Sequence, residues 1–169
     1  MIRRRVSKHF SAVALVVLAT GCISAAPEQW GVSLTDWERS AVFGDLPEEA
    51  RSALLPLSEI FYERITSRRF NSRATFQDPS VRQFFPTVAA YSDYYAALVD
   101  ELERANVRYS RPARVELLDV QRAPSGSLVL KLRFIGRNDL PLRWWNSSLE
   151  RADEWRWQDG RWWVVPGKV

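Results

Sequence analysis

The stretch SLVLKLRFIGRNDLPLRWWNSSLERADEWRWQDGRWWVV (127–165) decides the fold. Leu128, Leu130, Leu132 and Phe134 alternate with Val129, Lys131 and Arg133, the period of a strand with one face buried. Gly136-Arg137-Asn138-Asp139 reads as a turn. Leu142–Trp145 and Leu149–Trp157 read as one long strand, bent or bulged at Asn146-Ser147-Ser148. Asp159-Gly160 is a two-residue hairpin signal, because both positions of such a turn need positive φ. Trp162–Val165 completes the hairpin, and Pro166-Gly167 stops it. One strand precedes this stretch: Ala113–Ala123, which leads into the turn Pro124-Ser125-Gly126. An antiparallel meander of about four strands is predicted.

Upstream the period changes to that of helices. Val88, Tyr91, Tyr95, Leu98 and Leu102 recur at three, four, three and four, so Thr87–Arg104 is predicted as a helix with these residues on its inner face, closing near Asn106. Asp45-Leu46-Pro47-Glu48 reads as a helix start with a capping Asp and acids at the positive end of the dipole. Pro56 is expected to kink or break that helix. Ile60, Phe61 and Ile65 are expected on its buried side. A short helix is predicted from Thr35 to Phe43, opened by Thr35 and Glu38 as a capping box. Another is expected within Ser80–Phe85. Helices first and a meander afterwards define an α+β domain, with helices packed on one face of a curved antiparallel sheet. Residues 45–169 are read as that single domain, and 22–44 as a tether in front of it.

Charge separates the N-terminus from the rest. The 169 residues hold 24 Lys and Arg, 20 Asp and Glu, and a formal charge of +4. Residues 1–21 contain Arg3, Arg4, Arg5 and Lys8 and no acid, so the remainder balances. The only His, His9, and the only Met, Met1, lie in the same segment, and Cys22 follows it as the only Cys. A broadly basic nucleic-acid binder is therefore not expected, nor is histidine catalysis, a His/Cys metal site or an internal disulfide. No cofactor is implied.

The apolar run SAVALVVLAT (11–20) is too short to cross a bilayer core of ~30 Å as a helix, but it suits a signal-peptide core. Leu18-Ala19-Thr20-Gly21-Cys22 resembles the bacterial lipoprotein processing box, with Ala19 where Leu is usual. The resemblance implies cleavage before Cys22, a diacylglyceryl thioether on its sulfur and acylation of the new amino group. Such chains anchor a protein to a membrane durably, at about 0.8 kcal/mol per buried CH₂. Ile23 in place of the retention Asp implies outer-membrane delivery, facing the periplasm.

Leu149-x-Arg151-x-Asp153-x-Trp155 followed by Asp159-Gly160-Arg161-Trp162-Trp163 resembles the close of NTF2-like (SnoaL-like) proteins. The likeness extends in outline over residues 50–166. It implies a cone of strands around helices, made more open by the lack of evident short strands between the second and third helices. A homodimer through the sheet is implied by the resemblance alone. In ketosteroid-isomerase-like members a carboxylate and a tyrosine inside the cone move protons. Asp153 with Tyr91 or Tyr95 is the pair that could do so here, and the plain alternative is an Arg151–Asp153 ion pair with the tyrosines as core.

Six of the eight Trp lie in the last 26 residues. They offer either a large aromatic core or a ligand wall. Tyr91, Tyr95, Trp144, Arg151, Asp153 and Trp155 are accordingly the candidate ligand-binding residues, and Cys22 is the lipidation site. The expected function is a membrane-anchored, non-catalytic module that binds a small molecule or an envelope protein. The alternative is a small-molecule enzyme using an Asp/Tyr proton-transfer site.

Overall fold

A computed structural model describes residues 30–67 and 72–167. The helices are α1 (Asp36–Phe43), α2 (Glu48–Thr66), α3 (Pro79–Arg82) and α4 (Val88–Arg104). The strands are β1 (Arg114–Arg122), β2 (Leu128–Arg137), β3 (Asn146–Gln158) and β4 (Arg161–Val165). They form one antiparallel sheet in the order β1-β2-β3-β4, which does not close on itself. The molecule is α+β, as the periods predict. Between α2 and α4 the described residues form a 3-10 turn (Arg73–Gln77) and α3, not strands.

The register gathers the large apolar side chains on one face, with Arg151 and Asp153 set among them. Leu128 pairs with Trp155, Leu130 with Asp153, Leu132 with Arg151 and Phe134 with Leu149. Across β3 and β4, Trp155 faces Val164 and Trp157 faces Trp162. Leu128, Leu130, Leu132, Phe134, Trp155, Trp162 and Val164 are buried under the helices. On the outer face Arg133 spans to Glu150 at 2.8 Å and to Glu116 at 3.7 Å. β1 carries a bulge at Leu118, where the register shifts between Leu117 and Asp119. The bulge lets Val115, Leu117 and Val120 all turn inward despite their uneven spacing.

Both sheet borders are occupied in part. On β4 the Val164 amide donates to the Phe84 carbonyl at 2.9 Å. The next outward-facing position on that strand is Pro166, which has no N–H. On β1 the Val120 amide donates to its neighbour Asp119 Oδ1 at 2.8 Å.

Helix ends follow local chemistry. Thr35 and Glu38 form the capping box, with the Glu38 amide 3.3 Å from Thr35 Oγ1 and the Thr35 amide 2.8 Å from Glu38 Oε2. Thr87 Oγ1 accepts from the Ala90 amide, and Asp78 Oδ1 from the Ser80 amide. At the far end of α4, Asn106 takes φ 56°, and the amides of Val107 and Asn106 return to the carbonyls of Leu102 and Glu103. This is the glycine-type helix ending with Asn as its left-handed residue.

Four sequence expectations change. α2 starts at Glu48 with Pro47 at its cap and no side-chain bond from Asp45. Arg51 instead donates to the carbonyls of Leu46 and Gly44, at 2.7 and 3.0 Å. Pro56 lies inside an unbroken helix. Its ring sits on the exposed side, where water can satisfy the Ser52 carbonyl that loses its partner. The buried stripe of α2 is Ala50, Leu54, Ser58, Phe61, Tyr62 and Ile65, while Ile60 is exposed. Finally, the folded body begins before residue 45. Phe43 is buried, and Trp30, Val32 and Leu34 pack against the core. Trp30 donates from Nε1 to Ser58 Oγ at 3.1 Å and lies 5.5 Å from the Tyr62 ring.

Candidate functional site

Asp153 is the only acid buried among the described residues, at 2 % exposure. It stands on the inner face of β3, where alternation also turns Arg151 and Trp155 inward. α2 brings Tyr62 to it and α4 brings Tyr94. The phenols of Tyr62 and Tyr94 donate to Asp153 Oδ2 at 2.8 and 2.5 Å. Arg151 Nε donates to Asp153 Oδ1 at 2.6 Å, and Arg151 Nη1 reaches Glu101 Oε2 at 3.0 Å. Trp155 Nε1 donates to the Tyr62 oxygen at 3.3 Å. The Arg151 guanidinium lies 4.8 Å from the Tyr94 ring centre. Phe61 is the hub of the surrounding apolar wall, with ring centres of Phe84, Tyr94 and Trp155 at 4.9, 5.6 and 5.5 Å.

The electrostatics follow from burial. Burial and then the Asp153 carboxylate push the phenols of Tyr62 and Tyr94 well above the usual tyrosine value, so both remain proton donors. Burial pulls the Arg151 guanidinium down, but Tyr94, Asp153 and Glu101 outweigh it and hold the group above its ordinary value. Both Asp153 oxygens thus have donors. The arrangement neutralises a buried carboxylate and joins two helices to the sheet through it. Asp153 is thereby enclosed by its own protein partners.

The expected site residues separate into three groups. Arg151, Asp153 and Trp155 come together as expected, and the Arg151–Asp153 ion pair is present. The tyrosine partners differ: Tyr91 donates to the Ser72 carbonyl at 2.8 Å, and Tyr95 stacks on Tyr91 at 6.3 Å. Tyr94 and Tyr62 take the positions by Asp153 instead. Trp144 is a correction of another kind. It is 91 % exposed, in a loop rather than a strand, because β3 begins only at Asn146. Cys22 and His9 lie outside the described residues. Among the described residues no group of three or more His, Cys, Asp or Glu is placed to hold a metal ion.

Sequence reasoning also missed a cationic cleft at the opposite end of β2 and β3 from the Asp159-Gly160 turn. Arg108, Tyr109, Arg111, Pro112, Ala113 and Arg137, with Thr66, line a volume of about 520 Å³. Two distant segments supply its arginines, Arg108 and Arg111 before β1 and Arg137 at the end of β2, so no local pattern could announce it. Gly136 makes the crossing beside it feasible. A Cβ there would lie 2.6 Å from Val107 Cγ1 and 3.1 Å from the Arg111 carbonyl. A smaller cleft of about 210 Å³ adjoins it through Thr66 and Ala113, and is lined by Trp30, Glu59, Tyr62, Glu63 and Arg114.

In comparisons with known proteins, no family model, no curated protein sequence and no solved structure matches the chain.

Proposed function

We propose that the protein is a membrane-anchored lipoprotein of the bacterial cell envelope. It faces the periplasm from the outer membrane and serves as a non-catalytic module for a small ligand or an envelope partner. The address rests on Leu18-Ala19-Thr20-Gly21-Cys22 and the basic, apolar segment before it. The non-catalytic reading rests on one observation: the buried acid is engaged by three donors of the protein itself. An Asp/Tyr proton-transfer site requires a carboxylate facing a space that admits substrate. Asp153 faces Tyr62, Tyr94 and Arg151.

We also infer an open variant of the NTF2-like architecture. What supports this is a helix pair, α2 and α4, held against the inner face of a four-stranded meander, with an acid and two tyrosines at its centre.

The test of the address is the mass of the natively expressed chain. A mature form beginning at Cys22 and carrying acyl chains is expected, and Cys22→Ser should abolish both the modification and stable membrane attachment. A purified chain retaining Met1 and a bare thiol would refute the anchor.

A further inference from the structure

We infer that the end of the domain bearing the arginine cleft is a second membrane contact, which docks on the anionic headgroup surface of the bilayer. This deepens the anchored reading and rests on it for orientation only. The loop between β2 and β3 carries Leu142, Trp144 and Trp145 at 98, 91 and 50 % exposure. Contiguous apolar side chains presented to water mark an interaction surface, unlike a single exposed Leu. Leu142 holds φ 64° and Tyr109, itself exposed, holds φ 58°. Bulky side chains rarely occupy that region, and such strain gathers at functional positions.

The loop is fixed to the cleft rather than hanging free. The Asp139 amide donates to the Asn106 carbonyl at 2.9 Å, and Asn138 bridges to Val107. Aromatic tips and cations therefore share one end.

The charges select the occupant. Among the described residues Arg111 and Arg137 form no ion pair, and Arg143 lies over the Trp145 ring at 5.5 Å rather than against an acid. Arg108 meets Asp139 only at 3.9 Å. Glu59 and Glu63 line the adjoining smaller cleft, and Glu116 is taken up by Arg114 and Arg133. Trp and Tyr with flanking Arg is the composition that settles at a bilayer interface, aromatic rings among the headgroups and cations against lipid phosphates. A protruding loop tip suits a soft lipid surface, whereas a protein partner would need complementary relief.

Chain length gives the independent argument. Trp30 shares its cleft with Ala113 and Arg114, at this same end. Eight residue steps separate it from Cys22, a reach of at most roughly 29 Å. An acyl chain at Cys22 would tether the domain from this end.

The test uses the full natively processed chain in vesicles containing brominated acyl chains, with the acylation of Cys22 read by mass. Tryptophan quenching is expected to be stronger with phosphatidylglycerol than with phosphatidylcholine alone, and added salt should remove the difference. Trp144→Phe with Trp145→Phe should lose the extra quenching, and Leu142→Asp should lose it with all tryptophans kept. Arg111→Gln with Arg137→Gln should lower the docked-to-undocked ratio roughly twenty-five-fold on anionic vesicles, about fivefold per arginine. Equal quenching in wild type and all variants overturns the docking while leaving the anchor intact. So does a protein captured by crosslinking from position 144 in the absence of lipid quenching. An unacylated Cys22 refutes the anchor alone, because quenching by added vesicles still reads the tip.

Discussion

Asp153 shows how a single residue organises this interior. Its two oxygens take donors from three elements, so removing any one donor leaves a buried polar group short of a partner. Tyr94→Phe is expected to destabilise the fold by about 1–3 kcal/mol. Asp153→Ala should cost more, about 3–5 kcal/mol, because Arg151 would stay buried with only Glu101 beside it. Urea denaturation measures both, and a null effect of Asp153→Ala would contradict the network. The sequence made Arg151 and Asp153 legible through their spacing of two on a strand. Tyr94 was not legible, because Tyr94 and Tyr95 both flank the helix stripe, and spacings of three and four from Tyr91 serve equally. Tyr62 was missed for a related reason. Ile60 is the more apolar residue, yet Ser58 rather than Ile60 continues the buried stripe, since its hydroxyl is bonded to the Leu55 carbonyl and to Trp30.

At the scale of elements, the strands were read most faithfully where alternation was strict. Leu128–Phe134 and the Asp159-Gly160 turn are present, with φ of 53° and 74° in the turn. Leu142–Trp145 misled because its composition is that of a strand, while its backbone, just beyond Pro141, turns away from β2. The register of β2 and β3 ends at Arg137 and Asn146, so Leu142–Trp144 lie beyond it and Trp145 keeps one bond to that side, from the Asn138 amide to its carbonyl at 3.4 Å. Pro56 misled in the opposite direction: the helix absorbs it because packing of Leu54, Phe61 and Ile65 holds both halves on the sheet. Pro56→Ala should therefore stabilise α2, restoring one amide donor on an exposed turn, by about 1–3 kcal/mol. A raised thermal midpoint without any change in circular dichroism shape is the expected result. A lowered midpoint would mean that the ring itself contributes packing.

At the scale of the molecule, pH links the tyrosines to global stability. Tyr62 and Tyr94 have folded values raised above the ordinary value of 10.0. Their contribution is complete below that pH and is lost as pH climbs beyond it, since the unfolded chain releases protons first. Alkaline unfolding is expected, with tyrosinate absorbance and loss of near-ultraviolet dichroism rising together. Tyr62→Phe with Tyr94→Phe should weaken that coupling even as it lowers stability at neutral pH. A tyrosinate signal that precedes unfolding in the wild type and is absent from that double variant would contradict the burial of these two phenols. The architecture as a whole was legible because its two halves differ in period. The cationic end was not, because its residues meet only after α4, β1 and β2 have been brought side by side.

The two sheet borders have a consequence for crowding. Copies held by the proposed lipid anchor would diffuse in two dimensions, where encounters between identical chains are frequent and unprotected strands would zip into ribbons. Here Phe84 and Pro166 blunt one margin, while the Asp119 carboxylate and the Leu118 bulge blunt the other. Strand-to-strand polymerisation is thereby discouraged at its starting points.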